Sequence, residues 1–482
     1  MALATTLTEC AVGGGPALLA LTTATAAHRY GVGMSYWRAE SPEVRANVRR
    51  AARIRREWAR QAQNVGLYLE DRTPSLKDQW NNKSKAAQSK IFIPKLTRVT
   101  ADAYGVTLYF RTLDTVGLPE FQAKAAKLVT AWRVREVQAS ETEAPEIVRV
   151  RAMVTNPLTK NVDMTPPAGP VLDWGAVPMG PDMWADPITL PIENGAGMVV
   201  AGNPGTGKTA WCLGLITTLA PSDSMQIAVA NGKAPAALVG DYRGVAPRVS
   251  HLLGSDTEQV VEFLTGLQKE MNRRYLTMWS DLGVDSFWES DIAPSVEWPV
   301  LVALLDECQT WMEDARVVAL VADIMAKCRG AGIFLVLATQ KPTDNNLPTR
   351  IRDLATTSLC FPVRTTAAAV AALGEGIREF PEMNPLLKMR PEFRGVGTII
   401  SETSLGYTQF KAPFCSRTLA AKVATATAHY TRDFPGITVG REHRIAPTVP
   451  DTPAQAVELG KLRAIGRDGQ PGQPRARKRP SA

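Results

Sequence analysis

Residues 174–430 alternate short apolar strand patterns with helical ones, which predicts an α/β fold with a mainly parallel sheet and helices on both faces. Two further observations narrow the class. The octet GNPGTGKT at 202–209 stands between an apolar strand pattern, 197–201, and a helical pattern, 209–219. A second apolar run, 299–305, delivers the adjacent carboxylates Asp306 and Glu307 at its end. A glycine-rich turn from strand into helix aims backbone N–H groups and the positive end of the helix dipole at a phosphate chain. The expected fold is therefore an α/β P-loop NTPase domain, preceded by a small β-α-β-β module.

At 482 residues the chain exceeds one core, so two or three domains are expected. A composition of 45% hydrophobic and 21% charged residues is that of a soluble globular protein. The net charge of +8 is concentrated in two places, Arg45, Arg49, Arg50, Arg53, Arg55, Arg56 and Arg60 near the start, and Arg475, Arg477, Lys478 and Arg479 near the end. Both clusters have the chemistry to touch phosphate backbones or anionic lipid. The six cysteines are scattered without a Cys-x-x-Cys pair, and the four histidines do not cluster with them. Neither a zinc site nor a disulfide framework is expected, and the usage fits a reducing cytoplasm.

Residues 1–93 read as a basic N-terminal region. Within it, 10–27 is uncharged and mildly apolar, but three glycines, a proline and several threonines weaken it as a spanning helix. A weakly membrane-associating or surface-lying segment is expected there, followed by a basic helix over 42–63 and a polar linker over 71–92. The small α/β module is expected over 94–156. Residues 106–110 alternate like a strand, 119–133 read as an amphipathic helix through Phe121, Ala125, Leu128, Val129 and Trp132, and 134–137 and 147–154 read as further strands. Residues 157–190, rich in Pro, Thr and Asp over 157–173, form the expected connector. The nucleotide-binding domain spans 191–430. Residues 431–482, rich in Pro, Gly, Arg and Ala, are expected to be a disordered tail with one short helical pattern at 453–464.

The chemistry expected of these residues is ATP binding and hydrolysis with Mg²⁺. Gly202, Asn203, Pro204, Gly205, Thr206, Gly207, Lys208 and Thr209 form the phosphate cradle, Lys208 reaching the β- and γ-phosphates and the Thr209 hydroxyl ligating Mg²⁺. Asp306, at the C-terminal end of its strand, is placed to hold Mg²⁺ directly or through water, and Glu307 to polarise the attacking water. A third apolar strand, 332–339, ends in Gln340, placed to sense the γ-phosphate or position water. Arg329, in Lys327-Cys-Arg-Gly-Ala-Gly332, is a candidate arginine finger, with Arg350 and Arg352 as the other candidates. A finger of this kind would act on a neighbouring subunit's nucleotide.

The stretch 198–376 resembles the motor domain of FtsK/SpoIIIE-type DNA translocases. The resemblance is carried by GNPGTGKT (202–209), EMNRRY (270–275), LLDEC (304–308), CRGAGIFLVLATQKPT (328–343) and LPTRIRD (347–353). It extends outward to about 95–430, through a small preceding α/β module and GYTQFKAPF (406–414) as closing strands. It implies a RecA-like domain assembled as a hexameric ring that pumps double-stranded DNA using ATP. It makes Glu307 and Gln340 catalytic, and it favours Arg329 over Arg350 and Arg352 as the finger acting in trans. The pattern departs from the family at Asn231, where an acid is usual, and at Cys308, where an aromatic or aliphatic residue is common. With no long membrane segment and no recognisable winged helix in this sequence, the build resembles the actinobacterial transfer proteins of conjugative plasmids and integrative elements. The implied function is transfer or segregation of double-stranded DNA, in the cytoplasm or at the cell membrane. Rival functions on the same motor are a protein-secretion ATPase, a coupling ATPase for single-stranded DNA and a passive DNA-binding ring. The single ATPase module and two basic ends favour DNA, and intact Lys208, Asp306, Glu307 and Gln340 oppose a passive ring.

Overall fold

The computed structural model describes residues 36–39, 41–71, 90–340, 342–343, 346–402 and 406–445. The expected segment 10–27 and the tail beyond 445 lie outside these residues. Among the described residues no helix is long and apolar enough to cross a membrane.

The first unit opens with helix α1 (Pro42–Val65). Ser41 caps it, its hydroxyl accepting from the Val44 N–H, and Gly66 at φ 86° ends it in the left-handed conformation. Strands β1 (Leu69–Asp71) and β2 (Lys90–Phe92) form an antiparallel pair. Then follow β3 (Lys95–Ala101), β4 (Gly105–Arg111), α2 (Leu118–Trp132), β5 (Glu136–Ser140) and β6 (Ile147–Met153). Strands β3 to β6 make an antiparallel sheet of order β3-β4-β6-β5. The module thus has one strand more than the sequence reading, because β3 is largely exposed and lacks clear alternation. The basic helix is also part of this module rather than a separate region. Its stripe Ile54, Trp58, Ala62 and Val65 recurs at helical spacing and is buried with Phe110, Phe121, Leu128 and Trp132. The Trp58 indole N–H donates to the Pro94 carbonyl at 2.7 Å, and that of Trp132 to Gln61 Oε1 at 2.9 Å. Arg45, Arg49, Arg55, Arg56 and Arg60 are left facing outward.

The expected connector contains a hairpin, β7 (Val177–Pro181) with β8 (Pro187–Leu190). The larger unit follows, with β9 (Gly197–Ala201), α3 (Lys208–Leu219), β10 (Met225–Asn231), β11 (His251–Leu253), α4 (Thr257–Leu282), β12 (Val300–Asp306), α5 (Ala315–Lys327), β13 (Ile333–Thr339), α6 (Thr349–Arg352), β14 (Thr357–Cys360), α7 (Thr366–Leu373), β15 (Val396–Ser401), β16 (Thr408–Lys411), α8 (Arg417–Ala426) and α9 (Glu442–Ile445). Its eight strands run in the order β11-β10-β12-β13-β9-β14-β15-β16. Strands β9 to β14 pair parallel, and β15 pairs antiparallel with β14 and β16. Apolar cores lie on both faces, one built with α3 and α8, the other with α4 and α5. The fold is a RecA-like P-loop domain, with β13 inserted between the strand that feeds the phosphate loop and the strand that carries the carboxylates.

The first part of the expected disordered tail belongs to this domain. Phe434, Ile437 and Val439 are buried against α4 and β11. His251 fixes the segment from both ring nitrogens, Nε2 accepting from the Phe434 N–H at 3.0 Å and Nδ1 meeting the Val439 carbonyl at 2.8 Å. Gly266 on α4 permits the approach, since a Cβ there would stand 2.9 Å from Ile437 Cγ1. Three apolar residues at irregular spacing among Pro and Gly give no periodic signal, which is why composition misplaces this boundary.

The β7–β8 hairpin meets the first module through Arg149 and Asp186, 2.8 Å apart. Its turn is built by Asp182, whose Oδ1 accepts from the Trp184 and Asp186 N–H groups. Burial raises the Asp182 carboxyl from 3.8 to about 6, against those two hydrogen bonds. Between these values the folded state holds a proton that the unfolded state has released, so stability falls as pH rises from about 4 to 6. Asp182→Asn keeps the acceptor and removes the titration. It is expected to exceed the parent by about 3 kcal/mol at pH 7 and to come close to it at pH 4, as read from urea midpoints at the two pH values.

Candidate nucleotide site

Strand β9 is buried along its whole length and feeds the phosphate loop. The loop is tied down on three sides. The Gly202 N–H donates to the Thr339 carbonyl at 3.2 Å, the Asn203 N–H to the Pro362 carbonyl at 3.1 Å, and the Thr206 carbonyl accepts from the Gly395 N–H at 2.7 Å. Glycine is required at 207, where φ is 121° and a Cβ would lie 2.9 Å from Gly395 Cα. Helix α3 starts at the next residue, Lys208.

Sheet order brings the other groups to this loop. Registers Thr339↔Ala201 and Asp306↔Ala338 place the ends of β9, β13 and β12 side by side. Asp306 and Glu307 are buried, and Lys208, only 3% exposed, lies between them. Its ammonium is 2.5 Å from Asp306 Oδ1 and 3.2 Å from Glu307 Oε1. Asp306 Oδ2 accepts from the Tyr242 hydroxyl at 2.8 Å, and its Oδ1 accepts also from the Glu307 N–H. Glu307 Oε1 accepts from Gln340 Nε2, and Oε2 from Gln309 Nε2 at 2.7 Å. Gln309 is held in turn by the Thr339 hydroxyl at 2.8 Å. Glu307 adopts φ 55°, a left-handed conformation that costs a non-glycine residue about 1–2 kcal/mol.

The electrostatics follow from this enclosure. Burial acts to lower the Lys208 pKa, but Asp306, Cys212 and Glu307 outweigh it and the pKa is raised. Burial, reinforced by Asp306, pushes the Tyr242 hydroxyl well up, so it stays a donor. Burial pushes Cys308 up to about 12 and keeps it a neutral thiol.

Lys208, Asp306, Glu307 and Gln340 therefore converge. Asn203, Pro204, Gly205, Gly207, Lys208, Thr209 and Gln340 also line one cavity of about 260 Å³, together with Arg394 and Phe414. Asn231, the departure from the family pattern, sits opposite Asp306 in register and caps its own turn, its Oδ1 accepting from the Lys233 N–H at 3.1 Å. The three candidate arginines are elsewhere. Arg329 lies in the turn Cys328–Ala331, before β13, so the length of that strand, about 20 Å, separates it from Gln340. It is half exposed and pairs with Glu402 at 2.8 Å. Arg350 and Arg352 lie on the short α6, and Arg352 donates to the Ala371 carbonyl at 3.3 Å. Sequence reasoning missed Tyr242, Gln309, Arg394 and Phe414. Only Gln309 had a local signal, two residues beyond Glu307 on the turn that follows the carboxylates.

Replacing Lys208 by Met removes the one ammonium held between two buried carboxylates. Stability is expected to fall by about 3 kcal/mol, which a urea unfolding curve of the nucleotide-free protein measures directly.

Residues 173–306 match the model of the FtsK/SpoIIIE family. The DNA translocase FtsK of Staphylococcus aureus strain Mu50 is 28% identical over 198 residues, covering 36% of this chain and 25% of the relative, and that of strain COL matches equally. The chain thus spans about a quarter of the length of these curated relatives. Among solved structures, the pCW3 conjugation coupling protein TcpA with ATPγS aligns at 15% identity and TM-score 0.45, over 70% of this chain and 94% of that one. The cytoplasmic domain of the Thermomonospora curvata type VII secretion ATPase EccC aligns at 20% identity and TM-score 0.46, over 59% and 35%. The segment that carries the phosphate loop and the first of the two carboxylates is thus similar to the FtsK/SpoIIIE family.

Proposed function

We propose that this chain is an ATP-driven translocase of double-stranded DNA that works as a ring of identical subunits, as the implied hexamer, in DNA transfer or segregation. The observation that carries the ATPase half is the buried contact of Lys208 with Asp306 and Glu307 at the ends of adjacent strands, beside the phosphate loop. The DNA half rests on the family match and on the translocase name of the curated relatives. The outward arginines of α1 supply cations for phosphate contact.

The residues fit MgATP. A hydroxyl on Thr209 and a carboxylate on Asp306 are hard oxygen donors, and Mg²⁺ is usually held by one or two such groups plus the substrate's phosphates. When bound, the ion neutralises charge building on the β- and γ-phosphates. The loop N–H groups and the α3 N-terminus hold the phosphate chain. Lys208 exchanges its carboxylate partners for the β- and γ-phosphates, which leaves Glu307 facing Gln340 without its counter-charge. Glu307 then accepts the proton of the attacking water, and Gln340 orients that water. Arg329, too far along β13 to serve its own cavity, acts on the neighbouring subunit's nucleotide after leaving Glu402.

The deciding experiment compares ATPase rates with duplex DNA, single-stranded DNA and no DNA over a salt series. Strong stimulation by duplex, with affinity falling at a log–log slope of about −0.9 per phosphate contact, is the expected result; indifference to duplex overturns the DNA half. Glu307→Gln is expected to bind ATP normally and to lose hydrolysis by about 10²–10⁴-fold, read in single-turnover assays beside equilibrium binding. Mixing Arg329→Ala subunits into parent rings is expected to depress activity more than in proportion to the mutant fraction, and a linear titration would remove Arg329 from a role in trans.

A further inference from the structure

Two of the cavity-lining side chains, Arg394 and Phe414, have no part in the phosphate loop or the carboxylate cluster. We infer that they form the nucleoside end of this cavity, Phe414 as a stacking platform for the base and Arg394 as a second cation on the phosphate chain, an inference that rests on the ATP-binding reading above.

Phe414 is a large apolar ring left 53% exposed, so packing does not account for its position. Its backbone is nevertheless clamped on both sides. Its N–H donates to the Val162 carbonyl at 2.8 Å, and its carbonyl accepts from the Met164 N–H at 2.9 Å. The next residue, Cys415, lies against α3 with its sulfur 3.4 Å from the Thr217 hydroxyl. The ring is thus held beside the helix that starts at the phosphate loop, on the same cavity as Thr209 and Ala210. A phosphate chain seated in the loop places its nucleoside past these residues. A fixed, half-bare aromatic face has the chemistry to stack on a base.

Arg394 has a similar construction. Its carbonyl is gripped by the Lys411 ammonium at 2.5 Å, and Lys411 is only 3% exposed. The following N–H, of Gly395, donates to Thr206 in the phosphate loop at 2.7 Å. The backbone is therefore pinned to the loop while the side chain stays exposed, and among the described residues it enters no ion pair. A guanidinium in that position suits the oxygens of a phosphate chain.

The two roles separate by ligand. Inorganic tripolyphosphate carries the phosphates without a base, so Phe414 should matter only for ATP and Arg394 for both. Equilibrium binding of MgATP and of magnesium tripolyphosphate to the full chain tests this. Phe414→Ala is expected to weaken ATP about tenfold and leave tripolyphosphate within twofold, which also shows that the loop is still folded. Phe414→Trp is expected to restore ATP binding and to add fluorescence quenched by ATP but not by tripolyphosphate. Arg394→Ala should weaken both ligands about equally, with Arg394→Lys recovering part of the loss. Equal weakening of both ligands by Phe414→Ala, or no weakening of ATP, overturns the platform; unchanged binding in Arg394→Ala overturns the second cation. If the parent chain binds tripolyphosphate and ATP equally, the base subsite fails while the phosphate site stands. If it binds neither, the ATP-binding reading itself fails.

Discussion

An ammonium enclosed with two carboxylates beneath the phosphate loop is the constraint around which this domain is arranged. Such a group is costly to bury unless every charge finds a partner and every remaining lone pair a donor. Here Tyr242, Gln309, Gln340 and the Glu307 N–H supply those donors. The left-handed backbone at Glu307 belongs to the same arrangement, because the turn it makes brings the second carboxylate to the lysine instead of continuing the strand. Local strain at this residue is offset by a satisfied polar network, a pattern common where a site must be held ready.

The strand order gives that network its reach. Because β13 lies between β9 and β12, Gln340 leaves the sheet between the phosphate loop and the carboxylates and touches Glu307 directly. It also lines the nucleotide cavity. One side chain thus connects the ligand space to the buried acid. Arg329 lies at the other end of the same strand, so β13 separates the two side chains by its own length.

The parts legible in the sequence were those with short-range rules. A glycine-rich octet between strand and helix, and carboxylates ending an apolar strand, each carry their structural context beside them. The partner of Lys208 was not legible in the same way, since a loop lysine is read toward phosphate and only the sheet register shows the carboxylates within its grasp. Tyr242 comes from a turn without periodicity, and its hydroxyl meets Asp306 from 64 positions away. Helix α1 was legible as a basic helix over 42–63, but its place in the module was not. The number of its arginines drew attention from the stripe of Ile54, Trp58, Ala62 and Val65 that seats it on the module. Edge strand β3 and the segment through Phe434 and Val439 lacked alternation for opposite reasons, one too exposed and the other buried without regular structure.

The segment after α8 has a consequence for the sheet it crosses. Strand β11 is one of the two outer strands of the eight and pairs within the sheet on one side, with β10. On its other side the Leu252 N–H donates to the Gly440 carbonyl at 2.7 Å. Residues 434–440 therefore serve as a selvedge, finishing a border that would otherwise offer unpaired amides to a passing strand. A domain trimmed at 430, where composition changes, would lose that hem together with the buried Phe434, Ile437 and Val439, and so gain an open edge and a core defect at once.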